Sequence, residues 1–340
     1  MSVVRSSWMD LLKAFAIYLV ILGHIINNCI KGGYYHPLIG IIYTIHIPLF
    51  LMISGYFVKD KTINMSFILS ITRKFIIPYT TWTIILSLFY LGINKIIDLP
   101  IHDIFYTFVN GWLTNFLWFI KAYLITYLLW QFLQKMSNWM RLYIGCIILI
   151  CFNLIFIGNK IISELMSLSL YTYSIFAFSA CISPPPLKKP KNYINLHKAI
   201  SIICVFLFII FIPYYTTNNN YFESSFNVLF YSNNWHIFII RFIGGVSISI
   251  FLMSLGYIAK CNTATNCLKL FQNIGQNTLS IYMLQSLLVE AALNRFVQLP
   301  NNHIGYITSI FIAIFMTFIS WYIIKCTTKI KLLGVLLFGK

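Results

Sequence analysis

The chain has 340 residues, of which 59% are hydrophobic, 18% aromatic and only 9% charged, with a mean hydropathy of +0.82. Soluble domains carry about 25% charged residues, so these values exclude a water-soluble fold, and they exclude intrinsic disorder for the same reason. The net charge of +17, from 24 basic and 7 acidic residues, would suggest a nucleic-acid partner in a soluble chain, and the placement of those charges decides whether it does so here.

A membrane span needs about 20 mostly apolar residues to cross ~30 Å of hydrocarbon. Taken in chain order, the sequence offers ten such segments: 11–30, 37–58, 76–93, 116–132, 142–157, 161–182, 199–214, 236–258, 274–293 and 304–325. The mixed, aromatic stretch 94–115 predicts an interfacial helix or a re-entrant segment. Turn-rich polar stretches such as Pro184-Pro185-Pro186 and Asn218-Asn219-Asn220 separate other spans. The expected fold is an all-α polytopic membrane protein of about ten transmembrane helices. It forms one integral-membrane domain over residues 1–340, with no soluble domain. The first segment carries Lys13 and His24 and lacks a small-residue cleavage site, which separates it from a signal peptide.

With the N-terminus in the cytoplasm, 17 of the 24 basic residues fall on inside loops or the C-terminal end. They are Arg5, Lys59, Lys61, Arg73, Lys74, Lys135, Arg141, Lys188, Lys189, Lys191, Lys198, Lys260, Lys269, Lys325, Lys329, Lys331 and Lys340. Only Lys31, Lys95, Lys160 and Arg295 fall outside, while Lys13, Lys121 and Arg241 lie in or beside spans. This is the positive-inside pattern, with both termini cytoplasmic. The charge orients the chain in a bilayer and requires no nucleic acid. The eight cysteines form no CxxC pair and no His/Cys ligand spacing, so no metal or disulfide framework is expected.

Ionisable groups inside spans cost ~3 kcal/mol at a helix centre on insertion scales, so each is a candidate for function. In the first span, Lys13 and His24 are eleven residues apart, three helical turns plus roughly 20°, which places them on one face about 16 Å apart. Asp10 lies one turn from Lys13 and is spaced to pair with it. The second span runs His46-Ile-Pro48 to Ser54-Gly55-Tyr56, where Pro48 breaks the hydrogen-bond ladder and Ser54-Gly55 permits close packing. Arg73 and Lys74 precede Pro78-Tyr79 at the start of the third span and are suited to phosphate. Further candidates are Trp118 at the start of the fourth span, Arg241 two turns into the eighth, and Tyr282, Gln285 and Glu290 in the ninth. Glu290 is a candidate partner for Arg241 or Arg295.

Trp8-x-Asp10-x-x-Lys13, followed by ten residues and His24, resembles the first-helix signature of the membrane acyltransferase family 3. The segment from His46 to Phe57 is similar to that family's Pro-Leu-Phe…Ser-Gly-Tyr block, and Arg73 to Tyr79 resembles its basic third-helix opening. Trp118-Phe119 and Asn277 to Tyr282 resemble later blocks. Lys13 stands where many members have arginine, and Gln285 where many have histidine. The resemblance implies an acetyl-CoA-dependent O-acyltransferase of the bacterial cytoplasmic (inner) membrane. Its acceptor would be a surface polysaccharide of O-antigen or capsule type, or the lipid-linked precursor. It further implies His24 as general base or transient acyl carrier, with Asp10 and Lys13 ordering the mouth below it. Arg73 and Lys74 would hold the coenzyme phosphates, and Ser54 and Tyr56 would line the path of the pantetheine arm. Tyr34, Tyr35, Trp112 and Trp235 are expected around the acceptor. The competing readings are an exporter of polysaccharide or lipid-linked sugar, and a membrane polymerase.

Overall fold

Hydrocarbon offers no hydrogen bonds, so a chain this apolar must satisfy its backbone internally, which favours helices. The computed structural model describes residues 7–33, 36–93, 101–113, 117–156, 159–182, 193–217, 235–258 and 266–340, and among these the regular structure is helical. The helices are α1 (Ser7–Cys29), α2 (Pro37–Tyr56), α3 (Met65–Ile71), α4 (Ile77–Ile93), α5 (Ile101–Leu113), α6 (Trp118–Phe132), α7 (Asn138–Ile155) and α8 (Lys160–Ile182). They continue with α9 (Tyr193–Thr217), α10 (Trp235–Ile258), α11 (Asn266–Gln276), α12 (Thr278–Gln285), α13 (Asn294–Phe296), α14 (His303–Thr327) and α15 (Lys331–Phe338). Each of the ten expected spans overlaps helix. Among the described residues, six helical stretches are long and apolar enough to cross a bilayer: Ser7–Cys29, Pro37–Tyr56, Met65–Leu91, Asn138–Ile155, Ile161–Ile182 and His303–Thr327. Ala199–Pro213 and Ile239–Leu255 are apolar but shorter. The expected segment 94–115 contains α5, while Tyr34, Tyr35 and the turn-rich stretches at 184–190 and 218–220 lie outside the described residues.

Polar residues at the helix starts satisfy the first backbone donors. Asn64 accepts from Phe67 N at 3.0 Å, Ser137 from Met140 N at 3.4 Å and Asn302 from Gly305 N at 3.0 Å. His36 caps α2 through Nδ1, which accepts from Leu38 N at 3.2 Å, and Pro37 follows in the position where its missing N–H costs nothing.

Helices α1 and α2 form the centre. One face of α1 joins α4, α12, α14 and α15 in the largest apolar cluster, and the other joins α2, α8 and α10 in a second. Close approach depends on small residues. A Cβ on Gly55 of α2 would collide with the Phe176 carbonyl of α8, and Ser179 of α8 donates to the Met52 carbonyl at 2.6 Å. Gly245 of α10 in turn sits against the Pro48 ring. Pro48 lies within α2, which continues to Tyr56.

The expected ninth span, 274–293, is not one regular helix. It breaks at Asn277 between α11 and α12 and then widens into a π-helix from Ser286 to Leu293. Asp10 explains the position of the break. Its carbonyl occupies the space a Cβ on Gly275 would need, and its carboxylate accepts from Gln276 Nε2 at 3.2 Å. A second π turn, Thr72–Ile76, joins α3 to α4 and carries Arg73 and Lys74. The C-terminal helix α15 folds back onto α4, where Trp82 Nε1 donates to the Leu337 carbonyl at 2.7 Å.

Candidate active site

A cavity of about 260 Å³ lies between α1, α2, α6 and α12. Its lining includes Lys13 and His24 from α1, His46 and Ser54 from α2, Trp118 from α6 and Tyr282 from α12. Six residues singled out by the sequence on four different helices therefore meet in one space. Lys13 and His24 share a helix face as their spacing requires, and Val20 between them also lines the cavity.

His24 is held by a carboxylate. Its Nε2 lies 3.3 Å from Glu290 Oε1. Glu290 also accepts from Gln285 Nε2 at 2.8 Å, and Gln285 is fully buried. An ionised carboxylate only accepts, so it fixes the proton on Nε2 and leaves the lone pair on Nδ1. The expected pairing of Glu290 with Arg241 or Arg295 is thus corrected. Arg295 lies 5.6 Å over the rings of both Phe89 and Tyr90, and Arg241 is half-buried on α10 and does not line the cavity. The reason is the π-helix. Residues five apart on an α-helix point about 140° from one another, whereas the widened turn brings Gln285 and Glu290 onto one side.

Three further contacts define the chamber. His46 Nδ1 donates to the Ile42 carbonyl at 2.8 Å, so the neutral ring keeps its acceptor on Nε2. The Tyr43 ring lies between the two imidazoles, 6.4 Å from His24 and 4.9 Å from His46, edge-on to both. Phe119 and Tyr123 stack at 6.0 Å along α6, and Phe119 meets Tyr282 edge-on at 5.7 Å. The sequence reading missed Tyr43, Phe119, Tyr123 and Thr278 as lining residues. The signal was present for three of them, since Tyr43 is three residues from His46 and Phe119 is four from Tyr123. Aromatic residues at helical spacing more often mark ordinary packing, however.

Other candidates lie apart from this chamber. Asp10 is buried and bound to Gln276. Tyr56 packs edge-on against Phe57. Arg73 and Lys74 are exposed on the π turn, and Lys74 lines a smaller neighbouring cavity. Trp112 is exposed, and its carbonyl accepts from Tyr79. The side chain of Trp235 lies outside the described residues.

A histidine oriented by a half-buried carboxylate, in an aromatic chamber between apolar helices, is suited to moving a proton during group transfer. A family model described as an acyltransferase domain matches residues 6–326. The chain belongs to the membrane acyltransferase family 3. It is therefore a multi-pass membrane acyltransferase, and the match spans every helix that lines the chamber. Neither the curated proteins nor the solved structures contain a match to it.

Proposed function

We propose that the protein transfers an acetyl group from acetyl-CoA to a hydroxyl of a surface polysaccharide, of O-antigen or capsule type, or of its lipid-linked precursor. The observation that carries this reading is His24, held by Glu290, in a chamber that His24 shares with Lys13, Ser54 and Tyr282, in a chain of acyltransferase family. In this reading ten spans cross the bacterial cytoplasmic membrane with both termini inside, as the distribution of basic residues supports. Acetyl-CoA enters from the cytoplasm, and the acceptor enters from the opposite face.

Chemistry follows from the pair. His24, held by Glu290, takes the proton of the acceptor hydroxyl on its remaining nitrogen as the oxygen attacks the thioester carbonyl. The tetrahedral intermediate collapses with cleavage of the C–S bond, and the coenzyme thiolate takes that proton back from the imidazolium. Ser54 or Tyr282 supplies a donor to the developing oxyanion. Atoms and charge balance with no change of oxidation state.

The test compares surface glycan from cells carrying the wild-type protein, a His24→Ala variant or no protein, using NMR of O-acetyl signals. Loss of O-acetyl with unchanged chain length in both deficient strains supports the transferase. Loss of polymer from the surface supports an exporter instead, and full acetylation by inserted His24→Ala removes His24 from the chemistry.

A further inference from the structure

A groove of about 410 Å³ runs between α1, α11 and α14. Leu11, Phe15 and Tyr18 of α1, Phe271 of α11, and Ile314 and Phe318 of α14 line it, and it shares no wall residue with the chamber. Leu11 and Phe15 are each two residues from Lys13, which places them about 160° around the helix from it. The walls are apolar apart from the Tyr18 and Thr317 hydroxyls, and Thr317 donates its proton to the Ala313 carbonyl at 2.7 Å. The Phe271 and Phe318 rings meet at 6.1 Å. Phe15 is 41% exposed and Ile314 is 40% exposed, so the groove opens toward the hydrocarbon.

The α14 wall of this groove leads to charge. Ile314, Phe318, Trp321 and Lys325 are spaced four, three and four residues apart, so they share one helix face. Lys325 Nζ lies 5.2 Å over the Trp321 ring at the end of the stripe, an aromatic–cation pairing suited to a membrane surface. Lys329 and Lys331 follow, and all three lysines are exposed. Their stretch of chain holds almost no acid to neutralise them. From Asn266 to Lys340 there are five lysines, one arginine and a single carboxylate side chain, Glu290, which is held on His24. Among the described residues, none of Lys325, Lys329 and Lys331 forms an ion pair.

We propose that the groove binds one anionic phospholipid, with an acyl chain between α1, α11 and α14 and the headgroup phosphate on Lys325 and Lys329. Hydrocarbon in the groove gains little over hydrocarbon in the bilayer, because lipid tails are as apolar as the side chains around them. Selection therefore comes from the headgroup, and a basic cluster beside a groove between spans selects negative charge. Copies of the chain share one orientation in a bilayer, so a second copy would bring its own lysines to the same surface and be repelled. The lipid packs against the back of the helix whose front carries Lys13 and His24. Its site requires neither acyl donor nor acceptor.

The test titrates phosphatidylglycerol or phosphatidylcholine into the delipidated full chain in detergent and counts retained lipids by native mass spectrometry. Wild type should retain one phosphatidylglycerol in preference to phosphatidylcholine. Lys325→Gln and Lys329→Gln should each weaken phosphatidylglycerol about fivefold, the worth of one lysine near an anionic headgroup, and leave phosphatidylcholine unchanged. Lys135→Gln, which loses the same charge from the turn after α6, should bind as wild type. Ile314→Trp fills the groove from its exposed side and should weaken both lipids. A photoreactive diazirine at the end of the phosphatidylglycerol chain should label α1, α11 or α14. Equal retention of the two lipids by wild type overturns the site, as does unaltered affinity in both lysine variants or equal weakening by Lys135→Gln. Wild-type binding by Ile314→Trp, or labelling confined to other helices, places the chain outside the groove and overturns the assignment. A dimer that forms in place of lipid binding and is lost in Ile314→Trp gives the groove to a second copy and overturns it too.

Discussion

Helices α1 and α14 are both long and strongly apolar, yet their surroundings are opposite. In the most apolar window of α1, 72% of residues are buried within the protein, against 28% in α14. The ionisable groups make the difference. Asp10, Lys13 and His24 would be expensive against lipid tails, so α1 is enclosed by other helices that give these groups partners. The middle of α14 has no such group, and it meets the bundle through a narrow seam of small residues: Gly305, Ser309, Ala313, Thr317 and Ser320. Its other face, with Phe311 and Phe315 more than 60% exposed, is left to the hydrocarbon. Hydropathy thus locates both helices, and only the polar residues show which one lines the chamber.

The sharpest way to break this comparison is to remove the α1 chemistry while leaving its packing. His24→Ala should lower transfer by about 10²- to 10⁴-fold, the usual contribution of a positioned general base, with insertion and thermal unfolding near wild type. Single-turnover acetyl transfer in nanodiscs measures it, and retention of full activity would detach function from the central helix. Glu290→Gln keeps the shape and removes the charge that orients His24. Its kcat should fall about 10- to 100-fold, as for other residues that orient a functional histidine, with donor KM unchanged. A variant as active as wild type would mean that the 3.3 Å contact has no catalytic consequence.

On α14 the loss should appear in stability instead. Ala313 is fully buried in the seam, so Ala313→Leu should destabilise the protein by about 1–3 kcal/mol through overpacking. Phe315→Ala, on the exposed face, should stay within ~0.5 kcal/mol. Thermal unfolding of both variants, with activity measured on the folded fraction, checks the contrast. Equal effects would mean that the exposed face is covered by something other than lipid.

The same contrast explains what the sequence reveals. The apolar runs and the Lys13–His24 stripe are legible because both follow from α-helical geometry. The Gln285–Glu290–His24 chain is not, because residues five apart meet only on a π turn, and α-periodicity sends Glu290 elsewhere. Arg141 counts among the orienting charges when read in sequence, since Asp60 lies 81 positions away and only the fold brings the two together. The break at Asn277 follows from Asp10 at the other end of the chain, a packing constraint with no local signature.

A pH-dependent effect concerns the contact between α2 and α14. His36 caps α2 and packs against Tyr306 of α14, with ring centres 3.9 Å apart and the planes tilted by 31°. Desolvation first, and His303 second, hold its pKa below the ordinary value of 6.5. The capping nitrogen must accept from Leu38 N, which a protonated ring cannot do. The folded state therefore binds this proton less readily than the unfolded state. The stabilisation is present above pH 6.5 and is lost as the pH falls toward the lower folded value. The contribution is bounded by the worth of one cap, about 0.5–2 kcal/mol. His36→Asn supplies a cap that does not titrate, so its unfolding temperature should vary less with pH than wild type below pH 6.5. Parallel curves for the two proteins would show that α2 is anchored to α14 without this imidazole.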